Sequence, residues 1–178
     1  MPSSRIDHVP AVIGYVAQTK PQRVLDIGVG FGKWGFLFRE YLEIWGGHLD
    51  WTHTIEGIEV FPDYIGAHQL AVYDEIHIGN ALDVVPTLGD YDLIFMGDVI
   101  EHFTTEDALC LVRECRKHAK NVLMSTPNGF VKQGDSFGNE HERHLSSWDS
   151  WAFINAGLPA QDLGTFGGIN VILVKGEL

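Results

Sequence analysis

Three glycines at alternate positions, Gly28, Gly30 and Gly32, close an apolar run that carries an acid: Val24-Leu25-Asp26-Ile27-Gly28-Val29-Gly30-Phe31-Gly32. Such a turn lets backbone amides approach a ligand closely, because no Cβ intervenes. Two ligand classes compete for it, since Gly30, Gly32 and Gly35 also satisfy the G-x-G-x-x-G spacing of dinucleotide sites. A pyrophosphate over the turn would set negative charge beside the Asp26 carboxylate in a partly desolvated place, which is unfavourable. A ligand bearing an ammonium and a sulfonium meets the opposite sign, so Asp26 favours S-adenosylmethionine over a dinucleotide. Glu59 ends the next apolar run, where a carboxylate can accept both ribose hydroxyls. Asn80 follows the third run. Its amide can meet an adenine edge, with Ala81 and Leu82 adding backbone and apolar contact, or it can serve as a plain turn residue.

Ligands of open α/β sheets lie beyond the carboxyl ends of the strands, which turns attention to Asp98, Glu101 and His102 and to the stretch Asn139-Glu140-His141-Glu142-Arg143-His144. Methyl transfer from a sulfonium is an in-line displacement, so positioning and removal of one acceptor proton are most of what a protein must supply. Histidine suits that base role near neutral pH, and His144 and His102 rank ahead of His141 as the catalytic candidates. Those two also belong to a set of two carboxylates and two imidazoles, Asp98, Glu101, His102 and His144, that suits Mg²⁺ or Mn²⁺ and would orient an acceptor hydroxyl. The alternative is that Glu101 and His102 begin a loop and only steady the cofactor pocket.

Periodicity supplies the scaffold for these residues. Apolar β-branched runs alternate with helical patterns, which predicts an α/β, Rossmann-like fold: a doubly wound, mostly parallel seven-stranded sheet with an antiparallel C-terminal hairpin. Strands are expected at 23–29, 54–60, 75–79, 91–97 and 121–126, then at 160–166 and 170–175 around Gly167-Gly168. A sheet whose last strand enters by a hairpin is unlike a dinucleotide fold, which finishes with parallel crossovers. Residues 1–20 form an N-terminal helical segment. Trp34, Phe38, Tyr41 and Trp45 read as the mostly buried stripe of one helix, with Phe31 and Trp34 near enough to the glycine turn to touch a ligand. Pro62 opens a helix to about Tyr73. Thr104 with Asp107 caps a helix that turns Ala108, Leu111, Val112 and Cys115 inward, and Ser146 with Asp149 caps another that closes at Gly157. Trp148 and Trp151 either line an acceptor pocket or pack on the sheet. Residues 128–145 are polar and aperiodic and read as a lid loop.

A length of 178 residues suits one domain covering 1–178. Twelve basic against 24 acidic residues leave a net charge of -12, which repels phosphate backbones and anionic headgroups. A small-molecule partner is therefore expected rather than nucleic acid or membrane. No apolar stretch reaches the length of a bilayer span, and the N-terminus has no leader pattern, so a cytoplasmic protein is expected. Cys110 and Cys115 point to different faces of one helix and read as reduced core thiols. Oligomeric state is not legible.

Taken in order, VLDIGVGFG, IEGIEV, GNALD, YDLIFMGDVIEHF and VLMSTPN resemble the successive motifs of class I S-adenosylmethionine-dependent methyltransferases, and they span most of the chain from residue 23 on. The resemblance implies Asp26, Gly28 and Gly30 around the methionine moiety of the donor, Glu59 on the ribose, Asn80 near adenine and Asp98 beside the donor. Many relatives carry aspartate where Asn80 stands. The pattern Asp98-x-x-Glu101-His102 with a histidine-rich loop is similar to that of metal-assisted O-methyltransferases of quinone biosynthesis and of small-RNA 2′-O-methyltransferases, which typically carry glutamate where Asp98 stands. Methyl transfer to a small-molecule O or N acceptor is the activity expected. An NAD-dependent oxidoreductase, a non-catalytic S-adenosylmethionine-binding protein and an RNA methyltransferase are the alternatives.

Overall fold

The structure, a computed structural model, describes residues 3–178; the first two residues of the expected N-terminal segment and domain lie outside it. Seven strands form one sheet: β1 (Arg23–Ile27), β2 (Thr54–Glu59), β3 (Glu75–Ile78), β4 (Tyr91–Gly97), β5 (Ala119–Pro127), β6 (Ala160–Phe166) and β7 (Ile169–Lys175), in the spatial order β3-β2-β1-β4-β5-β7-β6. The first five run parallel, and β7 inserts antiparallel between β5 and β6. Gly167 and Gly168, at φ +57° and +83°, form the two-residue turn that joins β6 to β7. Two successive positive φ values are what a tight hairpin of the right twist needs, and glycine supplies them without a Cβ clash. The fold is the predicted α/β sheet with its antiparallel C-terminal hairpin.

Strand alternation assigns the two faces. Val24, Ile55, Leu93, Phe95 and Leu123 pack with α1 (Val9–Thr19), α2 (Lys33–Arg39) and the residues around α3 (Ala67–Val72) on one side. Leu25, Ile27, Ile94, Met96, Val122 and Met124 pack with α4 (Ala81–Val84), α5 (Thr105–Lys117) and α6 (Ser150–Asn155) on the other. Burying each such aliphatic side chain contributes roughly 1.5–3 kcal/mol, so β4, buried on both faces, anchors the sheet. Ile27 pairs with both Ile58 and Met96, so β1, β2 and β4 end level. Gly28, Glu59 and Asp98 therefore open onto one edge. Among the described residues no helix is long and apolar enough to cross a membrane.

Several boundaries differ from expectation, each for a local reason. The aromatic stripe does not stay buried, because α2 passes into a π-helical turn at Glu40–Ile44, with Trp45 N donating to Glu40 O at 2.7 Å. One extra residue in a turn rotates the chain beyond it by about 100°, which leaves Trp34 and Phe38 buried and Trp45 78% exposed. The helix expected from Pro62 breaks into a 3₁₀ turn at Pro62–Tyr64 and the short α3, divided at Gly66. Thr104 caps α5 as expected, its Oγ1 accepting from Asp107 N. The cap of α6 is Asp149, accepting from Ala152 N at 2.8 Å; Ser146 Oγ instead donates to Phe103 O at 2.8 Å. Cys110 is exposed rather than in the core, while Cys115 is buried. Trp148 packs against Phe153 and Trp151 faces solvent, so neither lines the cavity.

Candidate functional site

A cavity of about 280 Å³ opens where β1, β2 and β4 end, walled by the glycine turn, the exits of β2 to β4 and the segment 128–145. The turn is built for close approach. Gly28 N and Val29 N both donate to Ile58 O, at 2.8 and 3.1 Å, which ties the β1 exit to β2. Gly28 sits at φ +83°, and a Cβ there would come within 2.4 Å of Val99 Cγ2. Glu59 is the fixed point of this floor: its Oε2 accepts from Gly30 N and its Oε1 from Phe61 N, both at 2.8 Å. Burial raises its pKa, and these backbone donors oppose the shift. Asn80 lines the cavity, and its Oδ1 accepts from Leu82 N at 3.0 Å, which caps α4; Ala81 and Leu82 continue the wall.

Asp26 requires a correction. Its side chain is fully buried beneath the turn and does not line the cavity. Tyr73 Oη donates to its Oδ2 at 2.5 Å, and burial pushes the carboxyl up to about 7. It supports the turn from within. The acids that do line the cavity near the turn are Glu59 and Asp98. Asp98 holds a left-handed backbone at φ +55°, with its N donating to Ser125 O at 2.9 Å and its buried Oδ1 without a partner among the described residues.

On the acceptor side the structure brings together Glu101, His102 and His144, with ligand atoms mutually within 4.8 Å. The tie is made by backbone: Leu145 N and Ser146 N both donate to Glu101 O, at 2.8 and 3.1 Å, and this carries the end of the 128–145 segment back to the β4 exit. His102 Nδ1 donates to Arg143 O at 3.2 Å and His144 Nδ1 to Val131 O at 2.7 Å. A carbonyl can only accept, so each ring keeps its proton on Nδ1 and presents the Nε2 lone pair. Burial holds His102 neutral, down to about 4, and lowers His144 as well. Among the described residues neither carboxylate oxygen of the buried Glu101 has a hydrogen-bond partner, and burial together with the nearby Asp98 charge raises its pKa well above the ordinary value. Asp98 stands outside this group, so the four-ligand set reduces to three. His141 lines the cavity on the Glu59 side, apart from the other two histidines.

Phe31 and Trp34 both line the cavity as the sequence allows, and residues it did not single out complete the wall: Ser3, Ser4, Lys33, Tyr64, Val99 and Phe103. Lys33 could have been found as the one cation in the glycine turn. Ser3 and Ser4 could not, since a polar N-terminal segment carries no periodicity to place it.

No protein-family model matches the chain, and no curated protein matches it by sequence. Solved structures match it by shape. The N-terminal domain of EvdMO1, crystallised with SAH bound, aligns with a TM-score of 0.69 at 12% identity, over 98% of this chain and 83% of that one. An O-methyltransferase family protein from Burkholderia thailandensis aligns at 0.63 and 14%, over 94% of this chain and 55% of that one. The methyltransferase domain of bacterial CtHen1-CN aligns at 0.57 and 16%, over 95% and 97%. At these identities the likeness is one of architecture, and with the strand order, the level ends of β1, β2 and β4 and the glycine turn in place, the chain has the class I methyltransferase fold.

Proposed function

We propose that the chain is a cytoplasmic S-adenosylmethionine-dependent methyltransferase acting on a hydroxyl or amine of a small molecule, with 128–145 as its lid. The observation that carries this reading is the charge of the cavity. Glu59 and Asp98 line it at the turn, and Lys33 is the one Lys or Arg among its lining residues. That wall opposes a pyrophosphate and suits a cationic donor. The same cavity fits the rest of the donor: Gly28 and Gly30 leave room over the turn, and Glu59, already fixed by backbone amides, has lone pairs for ribose hydroxyls. Asn80, Ala81 and Leu82, with Val99 and Phe103, supply the polar and apolar lining that adenine needs.

S-adenosylmethionine supplies a methyl group on a positively charged sulfur. The chain's own part is to hold the acceptor in line and to manage its proton. Glu101, His102 and His144 fit a divalent cation, because an unpartnered buried carboxylate faces two imidazoles whose Nδ1 protons are pinned to carbonyls, the usual support for metal-ligating histidines. Mg²⁺ or Mn²⁺ held there would orient and acidify an acceptor hydroxyl. Without a cation, His144 Nε2 is the group that takes the acceptor proton.

Calorimetry with S-adenosylmethionine, its demethylated product and NAD tests the donor. The first two should bind and NAD should not, with the protein stabilised by about 2.7 kcal/mol at a hundredfold excess of ligand over Kd. Well-folded protein that takes up neither sulfur nucleoside overturns the reading. A parallel titration with Mn²⁺ followed by electron spin resonance tests the cation: His144→Ala and Glu101→Gln should lose the bound signal while keeping the nucleoside.

A further inference from the structure

At the end of the sheet away from the cavity, one bend of the chain holds a group of large apolar side chains in water. Helix α2 starts at the glycine turn and runs back along the sheet, and with its π-helical extension it ends about 16 Å from that turn. The chain then bends to begin β2 at Thr54, beside the first residue of β1. Between residues 41 and 51 the bend exposes Tyr41, Ile44, Trp45, Leu49 and Trp51, with Leu49 87% exposed.

Buried polar groups fix this bend from its inner side. Glu43 is fully buried; its Oε1 accepts from Thr52 N at 2.8 Å and from His53 N at 2.7 Å, and its Oε2 accepts from Thr52 Oγ1 at 3.1 Å. Arg39 donates to Val72 O and His53 O and lays its guanidinium over the Trp51 ring, 4.1 Å from the centroid. Gly47 N and His48 N donate to Ile44 O and Glu43 O, which closes the turn, and the Tyr41 and Trp45 rings lie 6.3 Å apart. Aromatic groups held in place before contact lose little entropy on binding, which is the property of interface anchors.

We infer that residues 40–52 form the two-fold contact of a homodimer. Area and charge select a second copy as the occupant. The five side chains together expose roughly 600 Å², which is at the upper limit of an apolar patch on a monomer. It also supplies the apolar two-thirds of the roughly 800 Å² that each partner buries in a stable dimer. A surface that meets itself across a two-fold axis must be complementary to its own copy. Residues 40–52 contain no Lys or Arg, and their apolar groups offer that complementarity without needing opposite charges. Elsewhere on a chain of net charge -12, two copies would bring acid against acid. The cavity stays open in both copies, because the contact is at the other end of α2.

Sedimentation velocity of the full chain between about 1 and 100 μM is the test, and wild type should pass from monomer to dimer within that range. Trp45→Ser and Leu49→Ser should each weaken association about 100-fold, because a two-fold contact carries every substitution twice. Trp151→Ser, at an exposed tryptophan of α6, should leave it unchanged. Raising NaCl from about 0.05 to 0.5 M should tighten the dimer several-fold by screening the like charges of the two copies. A chain still monomeric at about 100 μM overturns the inference. So does a dimer that survives Trp45→Ser combined with Leu49→Ser, or one that added salt dissociates. Calorimetry should show S-adenosylhomocysteine binding these variants as it binds wild type, so a missing dimer leaves the proposed function standing, and missing donor binding leaves the dimer standing.

Discussion

Burial without a counter-charge sets the behaviour of Asp26. Among the described residues Tyr73 Oη is its one hydrogen-bond partner and Oδ1 has none, and the carboxyl is pushed up to about 7. From about pH 4, where an unfolded aspartate ionises, to that raised value, the folded chain keeps a proton that the unfolded chain has released. Excess protons on the folded side make stability fall as pH rises across the window. Asp26→Asn removes the titration and keeps an acceptor for Tyr73. Urea unfolding at about pH 5 and about pH 7.5 should show the variant gaining on wild type at the higher pH, by at most about 2.5 kcal/mol. Parallel pH profiles would mean that the carboxyl ionises freely. The same residue marks a limit of sequence reading. An acid at the mouth of β1 is visible from the glycine spacing, but the direction of its side chain depends on Tyr73, 47 residues away, filling the space beneath the turn. The acids that line the cavity at that mouth are Glu59 and Asp98, and the left-handed backbone of Asp98 is announced by no motif.

Whether 128–145 works as a lid depends on where it is fastened. Its end is tied to Glu101 O, and its middle is latched to the β2 exit: Tyr64 Oη reaches Ser136 O at 3.3 Å and Glu142 Oε1 at 3.2 Å. Between these points Ser136 and Asn139 bridge a two-residue turn, with Phe137 at φ +52° and Gly138 at +80°. A left-handed backbone costs a phenylalanine about 1–2 kcal/mol, yet Phe137 is 73% exposed and its ring meets that of Phe31 edge-on. A segment with so little buried area opens easily once a latch is removed. Tyr64→Phe should speed limited proteolysis within 128–145 several-fold without donor, and S-adenosylhomocysteine should restore protection. Unchanged cleavage would place the fastening elsewhere. Elements of this kind escape periodicity, since their order comes from single tertiary hydrogen bonds. The π-helical turn at Glu40–Ile44 escapes it for a different reason: a 3.6-residue stripe written through Tyr41 and Trp45 presumes a pitch that the chain abandons there. By contrast the cap at Thr104 and the Gly167-Gly168 turn were readable, because each rests on neighbours in sequence.

Across the molecule, the parallel order and its terminal hairpin were legible because apolar runs and glycine punctuation repeat regularly, whereas the path of Ser3 to His8 across the cavity was not. The charge distribution adds something the total of -12 does not contain. Arg23, Arg39, Arg116, Lys117, Lys120 and Arg143 are each paired with a carboxylate, on Glu56, Asp74, Glu177, Glu114, Asp92 and Asp135. Bases already neutralised and spread in this way cannot track a phosphate backbone, which needs a continuous run of available cations to release counterions. The small acceptor proposed above needs no such run. Fluorescence anisotropy with a labelled single-stranded RNA should therefore show no binding tighter than about 100 μM at physiological salt. Micromolar binding that weakens steeply with added salt would reveal a basic surface formed on contact, and the acceptor would then be a nucleic acid rather than a metabolite.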